Sequence, residues 1–227
     1  MPLLALFDVD GTLFLTDDPL SGEAFLAALR EVYPVDPPPD AVERTDHRGE
    51  TSLRIAREVL RDENLDDDAI DAGLANWCAR FGDRYVALLE RSDTSDWQAA
   101  PGAHAALTHL AAAGIRLALL TGNPEPVARA RMDRLGLDEL FPARQGAFGC
   151  EAEERKRLLD LARERAGSWP ASKTVEIGDT ARDVTSAHAD GIRSIAVRSP
   201  CGEEPAGADA ICNDLDEVAS VLLAWNR

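Results

Sequence analysis

Two aspartates two residues apart, Asp8 and Asp10, stand in the segment Asp8-Val9-Asp10-Gly11-Thr12, directly after the apolar run Leu3-Leu4-Ala5-Leu6-Phe7. Carboxylates so spaced around a turn can face one centre, and like charges that close require a cation, a shared proton or separation. The plain alternative is a solvated turn, since Asp, Gly and Thr are ordinary turn residues. Two later segments carry the same kind of signature. Leu119-Leu120 runs into Thr121-Gly122-Asn123, and Val175-Glu176-Ile177 runs into Gly178-Asp179-Thr180, with Asp183 following. For Thr121 to Asn123 a simple strand-to-helix turn with its cap stands beside the functional reading.

The elements that must position these groups follow from periodicity. Five apolar residues ended by an acid and a glycine predict a strand buried on both faces. Strands are likewise expected at Ile115–Leu120, Ala143–Phe148, Thr174–Ile177, Ile192–Val197 and, weakly, Ala208–Ile211. Helices are expected at Glu23–Val32, Thr51–Arg61, Asp68–Glu90, Pro101–Ala113, Pro124–Leu135, Glu151–Ala166, Ala181–Ala189 and Leu215–Trp225. The four prolines between Tyr33 and Asp40 require a non-helical connector. Nothing between about 20 and 91 has strand character, so an all-helical insert follows the first strand directly. Beyond Ala100 strands alternate with helices, which predicts an α/β fold: a parallel sheet with helices on both faces. In such a sheet the three polar tips share the carboxyl edge, where ligands bind.

Motif order and spacing resemble the haloacid dehalogenase-like superfamily over essentially the whole chain. An apolar strand followed by DxDGT stands at Asp8 to Thr12, a strand ending in threonine at Thr121, and GDxxxD at Gly178 to Asp183. The resemblance implies a Rossmann-like three-layer core at 1–16 and 95–227, and a C1-type helical cap at 17–94. It points to the branch of phosphoglycolate phosphatases and β-phosphoglucomutase-like proteins. The activity implied is Mg²⁺-dependent hydrolysis of a small phosphate monoester through an aspartyl-phosphate. A phosphate monoester is a dianion, so a carboxylate attacks it only where negative charge is strongly screened, and Mg²⁺, a hard cation preferring oxygen ligands, supplies that screening.

By the same resemblance Asp8 is the nucleophile and Asp10 the general acid and then base. Asp8, the Asp10 carbonyl and Asp179 hold the metal, and Asp183 ligates it or orients its waters. Thr121 and the amides of Gly122 and Asn123 hold the phosphoryl group. The family's third motif is a lysine at the start of a helix, often followed by prolines; here the segment reads Glu154-Arg155-Lys156-Arg157, without prolines. Counted from the apolar positions of that helix, Arg155 falls on the motif position, with Lys156 one residue away. The alternative for this stretch is a solvated helix face of mixed charge. In the insert, Thr45 to Glu50 resembles the loop that C1 caps lower over the site. This makes Arg48 and Gly49 candidate specificity residues, although an exposed arginine capping nothing fits Arg48 equally well.

Composition sets outer limits. A net charge of -17 disfavours nucleic acid and anionic membrane partners. Only two of the 24 basic residues are lysines, and none lies in the insert; phosphonate hydrolysis in the superfamily this chain resembles uses a cap lysine as a Schiff base, so the resemblance argues against that activity here. Cys78, Cys150, Cys201 and Cys212 lack CxxC spacing and read as reduced, structural thiols of a cytoplasmic protein, with no zinc site. The opening apolar run is too short for a membrane span or a signal peptide. A small phosphorylated metabolite is the expected partner, and no heptad or large apolar face specifies more than a monomer or weak dimer. Asp10 separates phosphatase or phosphomutase from dehalogenases and ATP-driven pumps, which lack the second acid. A sugar phosphomutase is the alternative, with a silent binding protein or a phospho-acceptor signalling module behind it.

Overall fold

A computed structural model describes residues 1–198 and 206–227. Its centre is a six-stranded, wholly parallel sheet. The strands are β1 (Leu4–Phe7), β2 (Arg116–Thr121), β3 (Ala147–Phe148), β4 (Thr174–Gly178), β5 (Arg193–Val197) and β6 (Ala210–Cys212), in the order β3-β2-β1-β4-β5-β6. The first strand is apolar throughout because both of its faces are covered. Leu4 and Leu6 pack with Leu158, Leu159 and Ala162 of α6 (Arg155–Arg165) and Ala187 of α7 (Ala181–Ala189). Ala5 and Phe7 pack on the opposite side, with Leu107 and Leu110 of α4 (Ala103–Ala112) and Val218 and Leu222 of α8 (Leu215–Trp225). This is the three-layer Rossmann-like architecture expected.

Register brings the three polar tips level. Phe7 pairs with Leu119 on one side and Ile177 on the other, and the Asp8 amide donates to the Ile177 carbonyl at 2.8 Å. Asp8, Thr121 and Gly178 therefore end adjacent strands on one edge.

Between β1 and α4 lie α1 (Pro19–Val32), α2 (Ser52–Asp62) and α3 (Asp67–Leu89). They share an apolar cluster of their own, in which Phe25, Trp77 and Phe81 meet with ring centroids 4.9 to 5.5 Å apart. Each such ring contributes roughly 1.5–3 kcal/mol by leaving water. The core helix α5 (Glu125–Arg134) adds Val127 to that cluster. At Gly82 of α3 a β-carbon would stand 2.9 Å from Pro126 of α5, so the glycine sets how closely the two helices approach.

Three local expectations are corrected. The first helix begins at Pro19, not Glu23, because the Asp18 side chain caps the Leu20 amide and proline suits the first turn. The sixth begins at Arg155, not Glu151, because the Glu151 carboxylate turns back to accept from the Phe148 amide at 2.9 Å and pairs with Arg165. The third strand shrinks to Ala147–Phe148, preceded by positive φ at Arg144 and Gly146.

The cysteine reading is also overturned. Cys78 of α3 and Cys150, just past β3, form a disulfide across 72 residues of sequence. Cys212 is free and buried, and Cys201 lies outside the described residues. Spacing could not reveal the pair, since the two residues are brought together only when the insert packs on the core, α3 against α5.

Candidate active site

Asp8 is 7% exposed at the tip of β1. Asp179 comes from the tip of β4 and Asp183 from the first turn of α7, and one carboxylate oxygen from each lies within 4.8 Å of the others. Gly11 makes this possible: it holds φ +75, and a β-carbon there would sit 2.1 Å from an Asp179 oxygen. Asp183 has a second task, because its Oδ2 accepts from the Thr180 amide and hydroxyl at 2.8 and 2.6 Å in a capping box that starts α7. Burial, and then the Asp183 charge with Asp10 and Asp179 behind it, push the Asp8 carboxyl well above the usual carboxylate range against the pull of Arg155. Hard, anionic oxygens converging at this spacing suit a small divalent cation such as Mg²⁺, whose charge relieves that repulsion.

Arg155 and Lys156 part company. Arg155 is buried at the start of α6: its guanidinium meets Glu176 at 3.1 Å, Asp8 at 3.6 Å and Asp183 in direct contact, and it donates to the Gly49 carbonyl at 3.3 Å. Burial opposes its charge, but Asp183, Glu176 and Asp8 outweigh that and hold its pKa above the ordinary value. Lys156 points away, to Asp190 at 2.5 Å and Asp160 at 3.6 Å, half-exposed. Glu176, a lone acid in the apolar strand Thr174–Gly178, faces Arg155, and burial pushes it up to about 8 although Arg155 pulls the other way. That isolated charge in an apolar run was the available signal, and sequence reasoning passed over it.

Asp10 takes a different direction from Asp8. Its side chain is 52% exposed, with Oδ2 accepting from the Asn123 amide nitrogen at 2.5 Å and Oδ1 from Arg131 at 2.8 Å. The Thr121 hydroxyl accepts from the Asn123 backbone amide at 3.3 Å. Gly122 is required by close approach: its carbonyl accepts from the Ser52 amide and hydroxyl, both at 2.8 Å, and a β-carbon there would stand 2.0 Å from the Glu50 carbonyl. Arg131, Asp18 and Tyr85, which meet beside Asp10, carried no sequence signal, because they come from α5, from the N-cap of α1 and from α3, which are remote in sequence.

Asp8, Asp10, Thr121, Asn123, Arg131, Arg155 and Asp179 line one cavity of about 700 Å³. Its far wall is supplied by the insert, through Phe25, Val42, Ile55 and Phe81, with Arg48 and Gly49 in the loop above. That loop is fixed to the core: Arg182 of α7 binds Asp46 at 2.7 Å, Glu50 at 2.9 Å and the Arg48 carbonyl. At Gly49, with φ +70, a β-carbon would meet the Thr180 hydroxyl at 2.7 Å.

The sequence pattern of haloacid dehalogenase-like hydrolases matches residues 3–191. The chain belongs to the haloacid dehalogenase-like hydrolase family. A phosphoglycolate phosphatase from Rhodospirillum rubrum is 30% identical over 240 residues, spanning 97% of this chain and 90% of that one. In fold it is similar to CbbY from Rhodobacter sphaeroides, solved as a variant in complex with xylulose-(1,5)bisphosphate (TM-score 0.70, 23% identity, 96% of each chain). It is also similar to a putative β-phosphoglucomutase from Thermotoga maritima (TM-score 0.58, 22% identity, 97% and 98% covered). No helix among the described residues is long and apolar enough to cross a membrane.

Proposed function

We propose that the protein is a phosphatase of small phosphorylated metabolites that works through an aspartyl-phosphate on Asp8. The observation that carries this reading is the divergence of Asp8 and Asp10: one buried among acids and Arg155, the other half-exposed at the cavity. A phosphoric monoester hydrolase is also what the family and the phosphatase relative support. Asp8, the Asp10 carbonyl, Asp179 and Asp183 are the groups that would hold Mg²⁺, which supplies positive charge against the phosphoryl oxygens and the attacking carboxylate.

The Asp8 carboxylate attacks phosphorus, and the bond to the ester oxygen breaks while Asp10 delivers a proton to the departing alkoxide. Asp10, now ionised, takes a proton from the water that attacks the phosphorus, and the bond to Asp8 breaks to release inorganic phosphate. Arg155 holds Asp8 in place and neutralises phosphoryl oxygen charge. Thr121 and the Gly122 and Asn123 amides complete the phosphate cradle. The helical segment 17–94 acts as the cap over the 1–16 and 95–227 core, with Arg48 and Gly49 in the loop that meets the far end of the substrate.

The net charge of -17 argues against a nucleic acid substrate. The test is a panel of small phosphate esters, phosphoglycolate included, assayed for phosphate release with Mg²⁺. The reading requires release that Asp8→Asn abolishes. Interconversion of a sugar phosphate without release would replace it by a mutase.

A further inference from the structure

We infer that Arg131 is a positioning residue for Asp10, and that it ties the alignment of that carboxylate to the docking of α1 and α3. The inference rests on the proposed acid–base role of Asp10. Arg131 belongs to α5 of the core and is 3% exposed. One arm of its guanidinium, Nη1, holds Asp10 Oδ1 at 2.8 Å. The other edge is gripped from the insert, with Nη2 and Nε donating to Asp18 Oδ2 at 2.8 and 3.0 Å. Tyr85 of α3 donates to the same oxygen at 2.8 Å and accepts from Nε at 3.2 Å. The Phe14 and Tyr85 rings pack against it, with centroids 5.2 and 5.6 Å from the guanidinium carbon.

Such a planar fork, clamped on three sides, has one orientation, whereas a lysine ammonium, a point charge on a flexible stem, would pair with the same carboxylates without fixing their direction. Asp10 by contrast sits on a turn with its side chain half-exposed, so its direction must be imposed from outside. Stability alone does not account for the group, because a buried ion pair is commonly matched or bettered by apolar residues of similar volume. When α1 and α3 move away, Asp18 and Tyr85 leave with them and the fork loses its anchor.

The test separates the two half-reactions. p-Nitrophenolate leaves without a proton, whereas an alkoxide needs one; the second step needs Asp10 as base for either ester. Arg131→Met/Asp18→Asn removes both buried charges together, so neither is stranded. It should release a stoichiometric burst of p-nitrophenolate followed by slow turnover. Its kcat on an alkyl phosphate should fall about 10²-fold with KM within about threefold. Tyr85→Phe, which keeps the packing, should shift the same ratio in the same direction by a few-fold. A uniform loss of burst and turnover, or wild-type kcat in folded variants, would overturn the inference. Asp10→Asn in the same assay guards the premise: if it gives no separation of burst from turnover, the role of Asp10 falls, and this inference with it.

A separate observation carries a second proposal: the Cys78–Cys150 disulfide is a redox latch on the cap. The insert joins the sheet through two linkers that run side by side, Leu15 donating to the Gln98 carbonyl at 3.3 Å and the Gln98 amide to the Thr16 hydroxyl at 2.9 Å. Two adjacent linkers define an axis about which a cap can turn. The disulfide is a third covalent joint off that axis, beyond the edge strand β3. Around it the insert and core are joined by non-covalent bonds, among them Leu53 to the Gly149 carbonyl at 3.1 Å, Ser52 to the Gly122 carbonyl at 2.8 Å, the Thr51 hydroxyl to the Glu153 carbonyl at 2.8 Å and Arg57 to Glu153 at 2.5 Å.

A dithiol reductant opens the latch. Its thiolate attacks one sulfur, and its second thiol resolves the mixed disulfide; Cys78 and Cys150 gain two electrons and two protons while the reductant becomes the disulfide. Cys212 takes no part, since burial pushes its thiol up to about 11. Reduction with dithiothreitol should raise turnover of a small phosphate ester several-fold, and Cys78→Ser should run at the reduced rate under both conditions. Equal rates for the oxidised and reduced wild type, or a Cys78→Ser variant that still responds to dithiothreitol, would sink the latch.

Discussion

Two arginines are buried beside the two candidate catalytic acids, and they are held in opposite ways. Arg155 is surrounded by the core: Glu176 from the neighbouring strand, Asp183 from the next helix, Asp8 from the first strand. Arg131 starts from the core but takes most of its partners from the insert. The first centre is complete whatever the insert does, apart from one bond to the Gly49 carbonyl. The second keeps its bond to Asp10 without the insert but loses Asp18 and Tyr85, which fix its direction. On the proposed roles, with Asp8 as nucleophile and Asp10 as proton carrier, this difference would let one fold keep the site assembled while tying proton transfer to enclosure of the substrate.

The comparison breaks most sharply at Asp8. Asp8→Asn should keep the fold, by circular dichroism, and lose more than about 10⁴-fold in phosphate release; substantial residual turnover would move the nucleophile elsewhere. Chelation with EDTA should remove activity nearly as completely, with Mg²⁺ restoring it. Mg²⁺ at a hundredfold excess over its dissociation constant should also stabilise the metal-free protein by about 2.7 kcal/mol in thermal melts. Arg155→Ala should lower kcat by about 10² to 10³-fold, and should also lower the melting temperature, because Glu176 is left buried without its partner. Glu176→Gln keeps the acceptor without the charge and should cost about tenfold in kcat, as supporting groups one step from the reacting atoms do. Lys156→Ala should stay within about twofold of wild type. Its ammonium pairs at the surface, where solvent screens such pairs and they contribute little; the reverse ranking of Arg155 and Lys156 would exchange their roles.

What the sequence determined by itself was the sheet and its charged edge. A strand with both faces covered must be apolar throughout and must stop where charge begins, so β1, β2 and β4 announced themselves, and with them Asp8, Asp10, Thr121 and Asp179. Arg155 was within reach of the same reasoning because a helix periodicity fixes which residue faces the sheet. The tertiary structure alone decided the rest. Arg131, Asp18 and Tyr85 belong to separate segments, two helices and the cap of a third, as Cys78 and Cys150 lie on separate units of packing, and each looks like a surface residue until its partner arrives. Local pattern records what a residue's own element demands of it; a contact between elements is recorded in neither partner's neighbourhood. It appears only when the apolar faces that bring those elements together have closed.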